Sequence, residues 1–269
     1  MNQSAAWLVR VGFCALIGAG AAACTTTQVQ SDSAAGYAPR TPDGLPDLQG
    51  IWQTMNAANV SLLAHRATPD GPGGQSVVDG GVLPYQEWAI KKQQENFSKR
   101  MTLDGERKCF LAGVPRATYV PLPFQIVQTP RMTAILYEYA HMERRIYTDG
   151  TPHQQDIDFY LGDSRGHYEG NSLVVEVTNF NDMTWFDRAG NFHSDQMKVV
   201  ERFTRTDRDH INYEATVTDP KVFTRPWKIQ MPLYRRTEPK AQILDYYCYA
   251  FEETTPDITV PLFRESPLK

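Results

Sequence analysis

The chain is short of several things that would settle its class at once. It has no run of about 20 apolar residues, since the N-terminal stretch Val11 to Ala23 is too short for a permanent membrane-spanning helix. It has no surplus of positive charge: 27 Lys+Arg stand against 31 Asp+Glu, a net charge of −4. That excludes the basic stripe of a nucleic-acid binder, so no nucleic-acid partner is expected. No glycine-rich phosphate loop follows a strand, so no nucleotide or other cofactor is expected. The six histidines (His65, His141, His153, His167, His193, His210) never fall two, three or four apart. No single strand or helix therefore offers a ready metal-ligand pair, and only an assembly such as His153, His193 and Asp195 across loops would remain. There are only four cysteines, Cys14, Cys24, Cys109 and Cys248. No internal repeat is visible, and only one segment reads well as a helix.

What is present begins at the N-terminus. Arg10, the apolar run and the small residues Ala22-Ala23 before Cys24 have the three-part layout of an export signal. A cysteine directly after small residues resembles a bacterial lipoprotein signal, which implies lipidation of Cys24 and a membrane anchor on the periplasmic side. Thr25 after the cysteine points to the outer membrane by the same resemblance. The expected organisation is a signal peptide over 1–23, a flexible tether over 24–46 rich in Thr, Ser, Ala, Gln and Pro, and one domain over 47–269. Cutting before Cys24 leaves 246 residues (269 less 23) with 26 Lys+Arg, a net charge of −5. In an oxidising compartment Cys109 and Cys248 are expected to form a disulfide, two separate buried thiols being the alternative.

The domain reads as mainly β. Pro84 followed by Tyr85–Arg100 predicts one solvated surface helix. From Phe124 onward the segments Phe124–Thr129, Thr133–Tyr139, Arg144–Thr148, Gly166–Glu169, Ser172–Phe180, Asp195–Thr206, His210–Thr218, Trp227–Arg235 and Gln242–Phe251 read as short strands. Turn signals separate them, including Asp149-Gly150, Gly170-Asn171 and Asp207-Arg208-Asp209. Ile211, Tyr213, Ala215 and Val217 alternate with polar residues, so one face is buried and the other wet. Short antiparallel strands at close spacing indicate a sandwich or an up-and-down barrel.

Two resemblances follow from particular residues. Gly50-Ile51-Trp52 at the start of the first strand, followed by a meander, resembles the opening of calycin (lipocalin-like) barrels. That implies an antiparallel up-and-down barrel around a ligand pocket. A wider pattern resembles a family of exported bacterial proteins of unassigned activity. It runs through Cys109 with Gly113-Val114-Pro115-Arg116, Arg145 to Gly150 with His153, and Glu169-Gly170 before Leu173-Val174-Val175. It continues through Phe180-Asn181-Asp182 with Thr184-Trp185, His193-Ser194-Asp195, Glu201-Arg202-Phe203 and Asp219-Pro220-Lys221 with Pro226-Trp227. This resemblance implies no functional residues.

Candidate chemistry centres on Asn179 to Glu201, a long connection that would roof one mouth of a barrel. His193 is the residue there able to take and give a proton near neutral pH, with Asp187, Asp195 or Glu201 to fix its tautomer. Glu201 shares a strand face with Met197, Val199 and Phe203, which makes it a raised-pKa acid in a pocket or half of an ion pair with an arginine such as Arg145. Trp185, Tyr147, Tyr213, Arg145 and Tyr247 are the expected ligand-binding side chains, although the tyrosines can equally be core. The expected function is a pocket for a small apolar or aromatic molecule; if the protein is an enzyme, cofactor-independent lyase or isomerase chemistry at His193 is expected. A non-catalytic carrier is the alternative. Gly162-Asp163-Ser164-Arg165-Gly166 offers a third reading, a serine hydrolase with Ser164 as nucleophile and Asp182 or Asp187 and His193 completing it. Against this stands the strand that follows Ser164 where a nucleophile elbow needs a helix.

Overall fold

The structure, a computed structural model, describes residues 38–246. The expected signal segment, Cys24, most of the tether, Tyr247 and Cys248 lie outside the described residues, and with Cys248 the expected disulfide to Cys109. Nine strands close into a barrel: β1 (Gly50–Gln53), β2 (Phe124–Gln128), β3 (Met132–Tyr137), β4 (Glu143–Tyr147), β5 (Asp163–Glu169), β6 (Ser172–Thr178), β7 (Lys198–Arg205), β8 (His210–Thr218) and β9 (Trp227–Arg235). Each strand pairs with the next, and β9 closes the ring on β1 through Trp52–Arg235 and Gln53–Tyr234. Closure leaves no free sheet edge for another chain to extend.

The period-two pattern predicted for the last strands is what the barrel uses. Ile211, Tyr213, Ala215 and Val217 of β8 point inward and are fully buried. Val199, Glu201 and Phe203 of β7 do the same, while Lys198 and Val200 face solvent. Inward side chains do not line a hollow, as a lipocalin-like reading implies. Trp52, Phe124, Ile135, Ile146, Val175, Phe203 and Ile229 belong to one buried cluster that fills the interior. A barrel of this strand number can be filled by side chains or hold one small ligand, and here large, fully buried side chains occupy that level.

A second difference concerns direction. All neighbouring strands run antiparallel except β4 and β5, which are parallel with Ile146 opposite Ser164 and Tyr147 opposite Arg165. The barrel is therefore not purely up-and-down. A parallel neighbour requires the chain to cross back over the barrel before pairing again. Residues 148–162 make that crossing, and β4 and β5 share only those two register positions. Every other junction is a longer ladder or the closing β1 contact.

The predicted surface helix is α1 (Glu87–Ser98), starting after Gln86 rather than at Pro84. Ala89 and Asn96 face the domain. Gly190 lies against it with φ 81°, and a Cβ there would stand 2.7 Å from the Phe97 backbone nitrogen. Only glycine lets that loop come so close to the helix. Gln242–Tyr246 is irregular rather than the start of a strand; it is tied down by the Leu244 N–H, which donates to Glu138 Oε2 at 2.9 Å. Among the described residues no helix is long and apolar enough to cross a membrane.

A recess at the parallel strand junction

The short β4–β5 pairing opens a recess in the barrel wall of about 550 Å³. Leu111, Phe159, Tyr160 and Leu161 supply apolar wall, Tyr147 supplies a ring, and Glu143, Arg145, Asp158 and Asp163 are also in the lining. Its polar floor is Arg144 and Ser164, each about 2% exposed. Strand geometry places them there. Arg144 shares an inward face with Ile146, and Ser164 alternates with the outward Asp163. The Arg165 guanidinium stands 4.7 Å over the Tyr147 ring and fixes it at the rim. The crossing segment is latched by Asn179, whose side-chain amide donates to the carbonyls of Gln154 (2.9 Å) and Ile157 (3.1 Å).

Behind the floor lies a buried polar cluster. Arg144 donates through Nε to Ser164 Oγ at 3.0 Å and through Nη1 to Glu201 Oε1 at 3.1 Å, with Nη2 on Glu201 Oε2. Tyr213 donates its hydroxyl to Glu201 Oε1 at 2.7 Å. Burial works against the charge on Arg144, but the Glu201 carboxylate outweighs it and holds the guanidinium protonated. Burial, reinforced by Glu201, pushes the Tyr213 hydroxyl well up, so it stays a donor. The hydroxyls of Tyr137 and Thr118 are buried in the same region without a partner.

Of the residues expected to form the site, the structure brings Tyr147 and Arg145 to the recess. Arg145 is exposed and bonded to Glu143 at 2.8 Å. Tyr213 is deep in the interior cluster, and Trp185 is half-buried, bridging to Phe192 by β pairing. Glu201 is half of a salt bridge, but its partner is Arg144 and not Arg145. The period-two rule carried the signal: Ile146 is a core residue, so Arg144 shares its face and Arg145 points away.

His193 is not at a pocket mouth. It is 3% exposed, with Phe180 and Phe186 against its ring. Nδ1–H donates to the Ser194 carbonyl at 3.0 Å, and Nε2 accepts from the Thr184 hydroxyl at 2.7 Å. Both ring nitrogens are occupied, and burial pushes the pKa below its ordinary value, so the ring is a neutral core element. This corrects the expectation that it acts as acid–base residue. Its expected partners are elsewhere. Asp195 is exposed and pairs with Lys221 at 3.1 Å, a contact worth little in water. Asp187 is fully buried and accepts from the Leu62 N–H (2.8 Å), the Asn191 side-chain amide (2.6 Å) and the Asn191 N–H (3.2 Å). It pins one loop to another.

Burial pushes the Asp187 carboxyl up to about 6. A folded-state pKa above the unfolded one means the associated stability is fully present below pH ~4 and lost as pH rises through about 6. About two pH units correspond to ~3 kcal/mol. His193 has the opposite sign: stability is present above pH ~6.5 and lost as pH falls through its lowered pKa. Urea unfolding between pH 4 and 7.5 tests both. Asp187→Asn is expected to remove the fall between pH 4 and 7, and His193→Gln the loss on acidification. An unchanged pH dependence in Asp187→Asn would contradict the assignment.

The serine-hydrolase arrangement is not assembled. Ser164 bonds Arg144, His193 bonds Thr184 and Ser194, and Asp187 bonds Leu62 and Asn191, so the three belong to separate networks. His153 instead faces Asp163 Oδ2 at 2.9 Å, on the opposite side of β5 from Ser164. His153, His193 and Asp195 are likewise apart. Among the described residues no group of three or more His, Cys, Asp and Glu is placed to hold a metal ion. Of the motifs that carried the family resemblance, the one over Arg145–Gly150 reaches the recess through Arg145 and Tyr147, while others serve the scaffold. Arg116 is bonded to Asp104 and Asn59, Asp219 accepts from the Ser194 N–H and hydroxyl, and Gly113 gives room to Thr184.

These features define a closed nine-strand β-barrel with a buried apolar interior and a lateral recess at the parallel junction. No family model and no curated protein matches the chain, so the motif-based family resemblance gains no support from that side. A crystal structure of a mutant of the fluorescent protein UnaG is similar over 71% of this chain and 97% of its own, at 11% identity and a TM-score of 0.32. A likeness of that size carries no argument about function, and the barrel rests on its own strand pairing.

Proposed function

We propose that this protein binds a small, largely apolar molecule in the recess between β4, β5 and the 158–162 segment. The observation that carries the reading is the recess floor. Arg144 and Ser164 are almost wholly buried polar groups beneath aromatic and aliphatic walls, the usual composition of a small-molecule site. Binding is favoured over turnover because the proton-transfer candidate, His193, is closed off in the core. Export and lipid attachment at Cys24 belong to the same proposal and are supported by the N-terminal sequence, as is the outer-membrane, periplasmic placement. The carrier would then work from a tether.

The neutral dye N-phenyl-1-naphthylamine tests the site on the full chain. Saturable, blue-shifted emission is expected. Leu161→Arg, which places a charge in the recess, and Tyr147→Ala, which removes its ring, are each expected to weaken binding about tenfold, a loss of ~1.4 kcal/mol. Circular dichroism checks that both variants are folded. Dye binding that is indifferent to both substitutions would move the site elsewhere.

A further inference from the structure

The recess is also selective by charge, and this inference rests on the binding reading above. Every arginine at or beside it is already committed to a carboxylate. Arg144 is held by Glu201, Arg145 by Glu143 at 2.8 Å, and Arg165 by Asp163 at 2.8 Å. Asp158 lines the recess, is exposed and has no ion-pair partner, so the one uncompensated charge there is negative. Arg144 and Arg165 are held in largely buried pairs, so the one accessible guanidinium is Arg145, for which an entering anion would compete with Glu143 beside the negative Asp158 while losing its own hydration. What the floor does offer is a neutral donor. Ser164 Oγ accepts the Arg144 Nε–H, which leaves the serine hydrogen without an acceptor and able to turn toward the recess. Its reach is one hydrogen bond. Around it, Leu111, Leu161, Phe159, Tyr160 and the fixed Tyr147 ring form surfaces suited to a flat ring.

We propose that the ligand is an uncharged aromatic molecule bearing one hydrogen-bond acceptor, a carbonyl or ether oxygen, that takes the Ser164 hydroxyl hydrogen while its ring lies against Tyr147. Anionic aromatics of the same size are discriminated against. The two unpartnered hydroxyls of Tyr137 and Thr118 lie behind Arg144 and make no demand for charge either.

A matched pair of probes reads this out. Isothermal titration of the full chain with 2-acetonaphthone and 2-naphthoate is expected to show the ketone binding at least about tenfold tighter, ~1.4 kcal/mol. Ser164→Ala is expected to bring the ketone close to the affinity of unsubstituted naphthalene and to leave naphthalene itself unchanged. Should Ser164→Ala misfold, Tyr147→Ala supplies the second readout, weakening ketone and naphthalene together. Equal or tighter binding of naphthoate, still sensitive to Tyr147→Ala, would overturn the ligand class and leave the recess as the site. A ketone advantage that survives in folded Ser164→Ala would overturn the role of the hydroxyl. Failure of all three probes to bind, or binding insensitive to Tyr147→Ala, would overturn both this inference and the recess itself.

Discussion

Replacing Glu201 by leucine is expected to cost about 3–5 kcal/mol, because it leaves the Arg144 guanidinium buried without its counter-charge. For a chain of this size that lowers the melting temperature by roughly 10–15 °C. The geometry explains the magnitude. Arg144 and Glu201 are both essentially unexposed and meet through two parallel N–H···O contacts, with Tyr213 on the remaining carboxylate lone pairs. Removing both charges is a different experiment. Arg144→Met with Glu201→Leu is expected to recover most of the loss, since neither ion then has to be desolvated. Thermal unfolding of the two single variants and the double variant gives the coupling directly. If the single loss stays below ~1 kcal/mol, the pair is hydrated and the description of a closed interior is wrong. The same set separates stability from binding. A folded double variant keeps the apolar walls of the recess but loses the arginine that holds Ser164.

The strand positions were legible because alternation is a local signal that burial enforces. Ile211 to Val217 and Val199 to Phe203 face inward as their spacing requires. The parallel β4–β5 junction was not legible. Nothing in Arg144–Thr148 or Gly166–Glu169 states which way a neighbouring strand runs, since direction is set by the crossing segment between them. The recess exists because of that junction, so it too was hidden. Resemblance and abundant tyrosine point to a hollow, but tyrosine serves a packed core as well as a pocket. His193 is deceptive in the sequence for a related reason. A histidine beside aspartates in sequence looks poised for proton transfer, yet its contacts are with Thr184 and Ser194, and Phe180 and Phe186 close it off. Arg116 gave no signal as a charge anchor, because its acidic partners are on a separate turn.

Arg116→Met is expected to destabilise the protein by about 3–5 kcal/mol, and Arg116→Lys to restore less than half of that. The guanidinium is 1% exposed and uses its whole fork. Nε donates to Asn59 Oδ1 at 2.8 Å, Nη1 and Nη2 to the Asp104 carboxylate at 2.7 and 2.9 Å, and Nη2 also to Glu106 at 3.2 Å. It thereby joins the 57–62 loop, the 104–108 turn and the 116–119 turn. Methionine fills the volume but leaves Asp104 fully buried and unpaired, while Glu106 retains Arg188 at 2.6 and 2.7 Å. Lysine brings the charge back as a single point and cannot reach Asn59 and both Asp104 oxygens together. Urea unfolding measures the loss, and hydrogen exchange is expected to rise first in residues 57–62 and 104–108. A loss below ~1 kcal/mol would show that the network is dispensable. One consequence separates this network from simple packing. Arg116 also lowers the pKa of buried Asp187 by its charge, against the larger upward push of burial. In Arg116→Met that carboxyl is expected to titrate above 6, so the variant loses stability more steeply between pH 6 and 7.5 than the wild-type chain does.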